Sequence, residues 1–167
     1  AAVCRVSIDA RRGQISRVYS VRLDAHCDEK AFAEKLQVPF VRYKENAEPE
    51  IPCGEKRMEH RPVVVGLGPA GLFAAYTLAK YGYRPIVLER GGDMDERDRA
   101  VDRFWNGGAL DPECNIQFGE GGAGAYSDGK LTTRIGDALC ETVLKTLAEH
   151  GAPADIVKKA KPHVGTD

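Results

Sequence analysis

Three β-branched residues, Val63-Val64-Val65, run directly into Gly66-Leu67-Gly68-Pro69-Ala70-Gly71, and this junction limits the fold more than any other stretch of the chain. A continuous apolar run of this kind suits a strand covered on both faces in a parallel sheet. An alanine-rich apolar segment, Leu72 to Tyr81, follows and reads as a helix that Gly82 closes. Arg84-Pro85 turns the chain and Ile86-Val87-Leu88 forms the next strand, with Glu89 at its end. Strand, helix and strand within about thirty residues make a βαβ unit with a right-handed crossover.

The glycines stand where a bound diphosphate needs them. Gly66 permits the tight turn, Gly68 lets the backbone approach a pyrophosphate, and Gly71 allows the helix to pack closely on the strand. The helix start directs amide N–H groups and the positive end of its dipole at the phosphates, across Leu67, Pro69 and Ala70. Glu89 lies 18 residues past Gly71 and can accept hydrogen bonds from a ribose hydroxyl. A lone G-x-G-x-x-G is weak, but here strand, glycines, helix, second strand and terminal acid agree. An acid at the ribose position speaks against a 2′-phosphate, although Arg90 beside it points the other way.

Residues 91–130 separate this unit from an ordinary NAD-binding half, which would supply another strand soon after Glu89. They hold three Gly-Gly pairs, many charges and no convincing strand. A loop of that length is uncommon unless it is functional. Its densest part runs from Phe118 through Gly119, Glu120, Gly121, Gly122, Ala123, Gly124, Ala125, Tyr126, Ser127, Asp128 and Gly129 to Lys130. Backbone amides there can converge on an anionic or polar group, with Ser127, Asp128 and Lys130 adding donors and charge. The alternative is a flexible surface loop, which Phe118, Tyr126 and Leu131 oppose by asking for burial. Arg97 sits in an acidic run whose default is a solvated helix face; the sharper reading brings it to a cofactor pyrophosphate. Phe104 and Trp105 either pack in the core or cover a cofactor ring.

The rest of the chain is plainer. Residues 1–45 read as a small α+β piece: a strand at Val6-Ser7-Ile8, a half-buried strand from Ile15 to Leu23, a helix from Asp28 to Leu36 and a further strand at Phe40 to Tyr43. Residues 46–61 form a linker rich in charge and breakers, Glu48 among them, and residues 62–167 form the nucleotide-binding domain. Asp137 caps a helix from Ala138 to His150 with Leu139, Val143, Leu144 and Leu147 on one face. His163 is the one candidate acid or base, and no residue is assigned as catalytic. A balance of 24 basic and 25 acidic residues gives no reason to expect nucleic acid or a membrane surface as partner. Five scattered cysteines, none in a C-x-x-C, suggest neither disulfides nor zinc and fit a reducing cytoplasm. Both ends read as cut from something longer.

Several of these stretches together resemble an uncharacterised bacterial family of FAD-dependent dehydrogenases, the NAD(P)/FAD-dependent oxidoreductases. They are Ser7-Ile8-Asp9-Ala10-Arg11 with Val18-Tyr19-Ser20-Val21, Val65 to Leu72, Leu88-Glu89-Arg90-Gly91, Asn115 to Leu131, and Lys161 to Asp167. The resemblance implies an α/β fold: a partial Rossmann-like FAD-binding domain of the glutathione-reductase type, preceded by a small α+β domain. It implies FAD as cofactor, NAD(P)H as a candidate electron donor, and an unassigned small-molecule substrate or acceptor. The family's closing Gly-Asp motif, which holds the flavin ribityl chain, lies outside these 167 residues, so the chain is expected to carry the ADP half and to be inactive alone. An NAD-binding dehydrogenase and a non-catalytic nucleotide-binding or partner-docking module are the alternatives.

Overall fold

A computed structural model describes residues 1–45, 49–133 and 135–164. Glu48 of the expected linker and the closing Gly165-Thr166-Asp167 therefore lie outside the described residues. The chain is mixed α/β and divides into two compact units, Ala1–Pro52 with Lys130–Val164, and Cys53–Gly129. This division differs from the one expected at residue 62, because the backbone of Val6 pairs with the segment around Lys159. The Val6 amide donates to Lys158 O at 2.8 Å, and the Ala160 amide donates to Val6 O at 3.0 Å.

In the first unit β1 (Ala2–Asp9) and β2 (Ser16–Arg22) form an antiparallel hairpin, with Val6 opposite Tyr19 and Val3 opposite Val21. The period-two pattern that predicts β2 is not expressed as burial, since every residue of β2 is exposed. Helix α1 (Glu29–Leu36) begins at Asp28, whose carboxylate accepts from the Ala31 amide at 3.1 Å. The strand expected at Phe40 to Tyr43 does not form. The Val41 amide instead closes a turn onto Val38 O at 2.9 Å, and the expected strand has no ladder partner among the described residues. The helix expected from Ala138 to His150 appears as the fourth in the chain, Leu139–Glu149, with Asp137 accepting from the Leu139 amide. Ile156, in a single 3₁₀ turn that follows, is fully buried.

The second unit carries the βαβ element. Strands β3 (Val63–Val65) and β4 (Ile86–Leu88) pair in parallel, and α2 (Pro69–Lys80) crosses between them. The ladder continues past both ends: Ile86 donates to Pro62 O and Gly66 donates to Leu88 O. Helix α2 closes on a Schellman arrangement, with Gly82 N–H on Ala79 O and Tyr83 N–H on Leu78 O. Arg61 fastens the start of β4 by donating to the carbonyls of Arg84 and Pro85.

These strands are less covered than their apolar run suggests. Val64 faces α2, whereas Val63 and Val65 are 55% and 81% exposed. Alternation explains the difference: α2 covers one face of the two-stranded sheet, and successive side chains point to opposite faces. The third helix, α3 (Met94–Trp105), is capped by the Asp93 carboxylate and buries Arg97, Ala100 and Val101, at i, i+3 and i+4. No helix among the described residues is long and apolar enough to cross a membrane.

The tightest joint in this unit is at Gly71. A Cβ built there would lie 1.9 Å from Gly66 O and 3.5 Å from Val64 Cγ1, so helix and turn meet with no room for a methyl group. Gly71→Ala is expected to destabilise the second unit by about 3 kcal/mol, the upper part of the range for overpacking. Urea unfolding followed by near-ultraviolet signals measures this, and an unchanged midpoint would contradict the close packing.

Candidate functional site

The carboxyl ends of β3 and β4 open onto a cleft of about 300 Å³ lined by Val65, Gly66, Gly68, Leu88, Glu89, Arg90, Gln117, Phe118, Gly119 and Gly122. In open α/β sheets ligands sit outside the carboxyl ends of the strands, and this cleft lies at that end of the two parallel strands. A larger hollow of about 410 Å³ lies at the hairpin end of the other unit, lined by Asp9, Arg11, Gln14 and Ser16. There Arg11 and Asp9 bind each other through two side-chain hydrogen bonds, and the walls are polar and exposed, so the site is sought in the βαβ cleft.

Gly66 makes the turn at φ 91°, a conformation that side chains resist. Gly68 precedes Pro69 at the first position of α2, and no side chain caps this helix. Asp28 and Asp93 cap α1 and α3 with carboxylates, so α2 alone of the three offers its amide end without such an acceptor. A Cβ at Gly68 would come no nearer than 3.9 Å to Gly122 Cα, which leaves that side of the turn open.

Glu89 ties the strand end to the glycine turn. Its carboxylate accepts from Leu67 N–H at 2.6 Å and from Gly91 N–H at 2.9 Å. Those amide bonds, the Gly91 one foremost, hold its carboxyl below the ordinary value of 4.5. Each carboxylate oxygen has a further lone pair, so the arrangement can still receive a ribose hydroxyl. Arg90 turns away from the sheet: its guanidinium grips Glu113 through two nitrogens, one bond measuring 2.6 Å, and lies over the Phe118 ring at 5.2 Å.

The second glycine stretch packs directly on the first. Gly121 N–H donates to Leu67 O at 2.9 Å, and a Cβ on Gly122 would sit 2.9 Å from Gly68 Cα. Gly122–Tyr126 forms a 3₁₀ turn in which Ala123 is exposed and Gly124 approaches Pro69. What holds this loop is Arg97, which sequence reasoning placed either in solvent or on a pyrophosphate. It is fully buried, and it donates to the carbonyls of Asn115 at 3.1 Å, Ile116 at 2.8 Å and Glu120. Its plane lies 4.8 Å from the Tyr126 ring, whose hydroxyl donates to Asp98. Burial, and then the neighbouring Asp98, push the Tyr126 hydroxyl up to about 12. Gly119, at φ 123°, leaves the space that the Arg97 side chain occupies: a Cβ there would meet Arg97 Cδ at 2.4 Å.

The structure thus brings Gly66, Gly68, Glu89, Arg90 and Gly122 to one cleft, with Leu67, Gly71 and Gly121 directly behind them. Arg97, Ser127, Asp128 and Lys130 are not among the residues lining it. Ser127 shapes its own turn, donating to Gly124 O and accepting from Gly129 N–H. Lys130 belongs to the first unit, where it bridges to His163, and His163 is exposed. Trp105 neither covers the cleft nor fills the core; it is 63% exposed and meets Tyr126 edge-on. Sequence reasoning missed the parts played by Asn115 and Glu120. Asn115 is buried, accepts from the amides of Gln117 and Phe118 and donates to Asp111 O. Glu120 accepts from the Met94 amide at the start of α3. The only signal for them was their place within a motif-like run. Among the described residues, no group of three or more His, Cys, Asp or Glu is placed to hold a metal ion.

Comparison with known proteins gives one informative match. The chain is 50% identical over 167 residues to a protein of Clostridium beijerinckii described as an "Uncharacterized protein". The match covers 99% of this chain and 31% of that relative, so the chain spans about a third of the relative's length. No protein-family model matches the chain.

Two outcomes follow from this geometry. Arg97→Lys keeps a charge but cannot serve three carbonyls in fixed directions, and is expected to cost about 2 to 4 kcal/mol in urea unfolding. A loss below about 0.5 kcal/mol, the usual range for surface substitutions, would show that the loop holds itself. Glu89, whose folded carboxyl lies below its unfolded value, adds stability that is full above the ordinary carboxylate range and lost as pH falls through its folded value. The stability difference between wild type and Glu89→Gln should therefore shrink as pH falls from about 6 to about 3, because the other titrating groups are common to both proteins. A pH-independent difference would remove the carboxylate from this role.

Proposed function

We propose that the chain carries the ADP-binding part of an FAD-dependent oxidoreductase, in a Rossmann-like domain of the glutathione-reductase type. The observation that supports this most is the tie between Glu89 and Leu67 at the carboxyl ends of two parallel strands. It joins a ribose-binding acid to a phosphate-binding turn in one rigid piece, with the uncapped amide end of α2 facing outward. The residues present fit an ADP group: an open side at Gly68, a carboxylate with spare lone pairs, and a cleft at the small end of the range for ligand sites.

A flavin rather than a nicotinamide nucleotide is favoured by the stretch after Glu89. Residues 91–129 contain α3 and a 3₁₀ turn but no strand, where an NAD-binding half would continue its sheet. The interlocked second glycine turn then lies against the first, close to where a diphosphate would pass. Bound FAD would supply the two-electron chemistry, with NAD(P)H as its proposed electron donor. The chain's own residues bind and orient: Gly66 to Gly71 at the diphosphate and Glu89 at the ribose.

The test is the flavin content and FAD affinity of the purified protein beside Gly68→Ala. The added methyl has room within the fold, 3.9 Å from Gly122, yet it projects from the turn where phosphate must approach. Binding is expected to weaken at least about tenfold, or about 1.4 kcal/mol, with unfolding unchanged. Equal affinity of the two proteins would remove the turn from the site, and a protein that neither carries nor binds FAD would refute the function.

A further inference from the structure

The arginine next to the ribose acid gives the cleft a selectivity that the glycine motif alone does not carry. An adenosine ribose that bears a 2′-phosphate is ordinarily read by an arginine with an open fork of donors. Arg90 is the one cation among the residues lining this cleft, and its Nε and Nη2 donors are taken by Glu113. Nε and Nη2 both face Glu113, one face of the guanidinium is laid on Phe118, and the Glu113 main chain is fixed by its amide on Asp111 Oδ1 at 2.9 Å. Two carboxylates, Glu89 and Glu113, bracket the single arginine, so the ribose end keeps an excess of negative charge.

We propose that Glu113, by holding Arg90 against Phe118, makes this cleft selective for an adenine nucleotide with a free 2′-hydroxyl over one that carries a 2′-phosphate. The inference rests on the adenine-nucleotide reading of the cleft. Its consequence is that an NADP-type donor does not compete for the seat of the ADP group. A 2′-phosphate brings a charge of about −1.5 to −2 and meets the Glu89 carboxylate and an arginine whose charge Glu113 already pairs. Glu113 acts here through Arg90 and is a positioning residue.

ADP-ribose and 2′-phospho-ADP-ribose differ only in the phosphate at issue, and calorimetry with the purified protein gives the ratio of their affinities. ADP-ribose is expected to bind at least about tenfold more tightly to the wild type, from charge repulsion at the ribose. Glu113→Gln weakens the grip on Arg90 and removes its countercharge, and should reduce that ratio about two- to fivefold, the scale of an exposed ion pair. Glu113→Ala should do the same, and both are tolerable at a side chain that is 55% exposed. Adding Arg90→Ala to Glu113→Gln should abolish the gain, because the freed cation is its source. A wild-type ratio near one, or a ratio that Glu113→Gln and Glu113→Ala leave unchanged, overturns the proposal while the nucleotide reading stands. Failure of the wild type to bind ADP-ribose at all overturns both.

Discussion

A single buried guanidinium organises the second unit. Arg97 is its largest fully buried side chain, and it satisfies its charge with three backbone carbonyls and one aromatic face. Burying an arginine is expensive unless its donors are matched, and three directed acceptors supply that match. The carbonyls belong to Asn115, Ile116 and Glu120, so the loop takes its shape from the charge it surrounds. Gly119 yields the space and Asn115 closes the turn, and the second glycine stretch is then delivered onto the first.

Glu89 does for the βαβ turn what Arg97 does for the loop. Its carboxylate spans from the end of β4 to the amide of Leu67, across a point where the sheet ladder has just ended. The same oxygens that suit a ribose also brace the turn that suits a diphosphate. Function and local stability therefore draw on one side chain, a common situation where a binding loop follows a strand.

Much of this was legible in the residues. Strand, turn, helix and strand from Val63 to Leu88 follow from β-branched runs, glycine spacing and an alanine-rich interval, all local signals. The cap at Asp28 and the stop at Gly82 are local too. What was not legible depends on distant partners. Nothing in the acidic run around Arg97 says that its side chain turns inward, because the carbonyls it meets lie about twenty residues further on. The apolar run of β3 says that these residues can be buried on both faces, but α2 covers only the Val64 side. The expected strand at Phe40 to Tyr43 had the right residue types and no neighbour to pair with among the described residues.

The interlocking of the two glycine turns has a thermodynamic side. Four of the ten residues lining the cleft are glycines, so a molecule entering it meets main chain as much as side chain. Immobilising a long side chain costs about 0.5 to 1.5 kcal/mol at an interface, and a wall of glycine has no rotamers to freeze. Of the long side chains there, Arg90 is already tethered at both its edge and its face, and Glu89 is tied to two amides. Such a wall gives up little freedom when it closes on a guest, so most of the contact energy is left to appear as affinity.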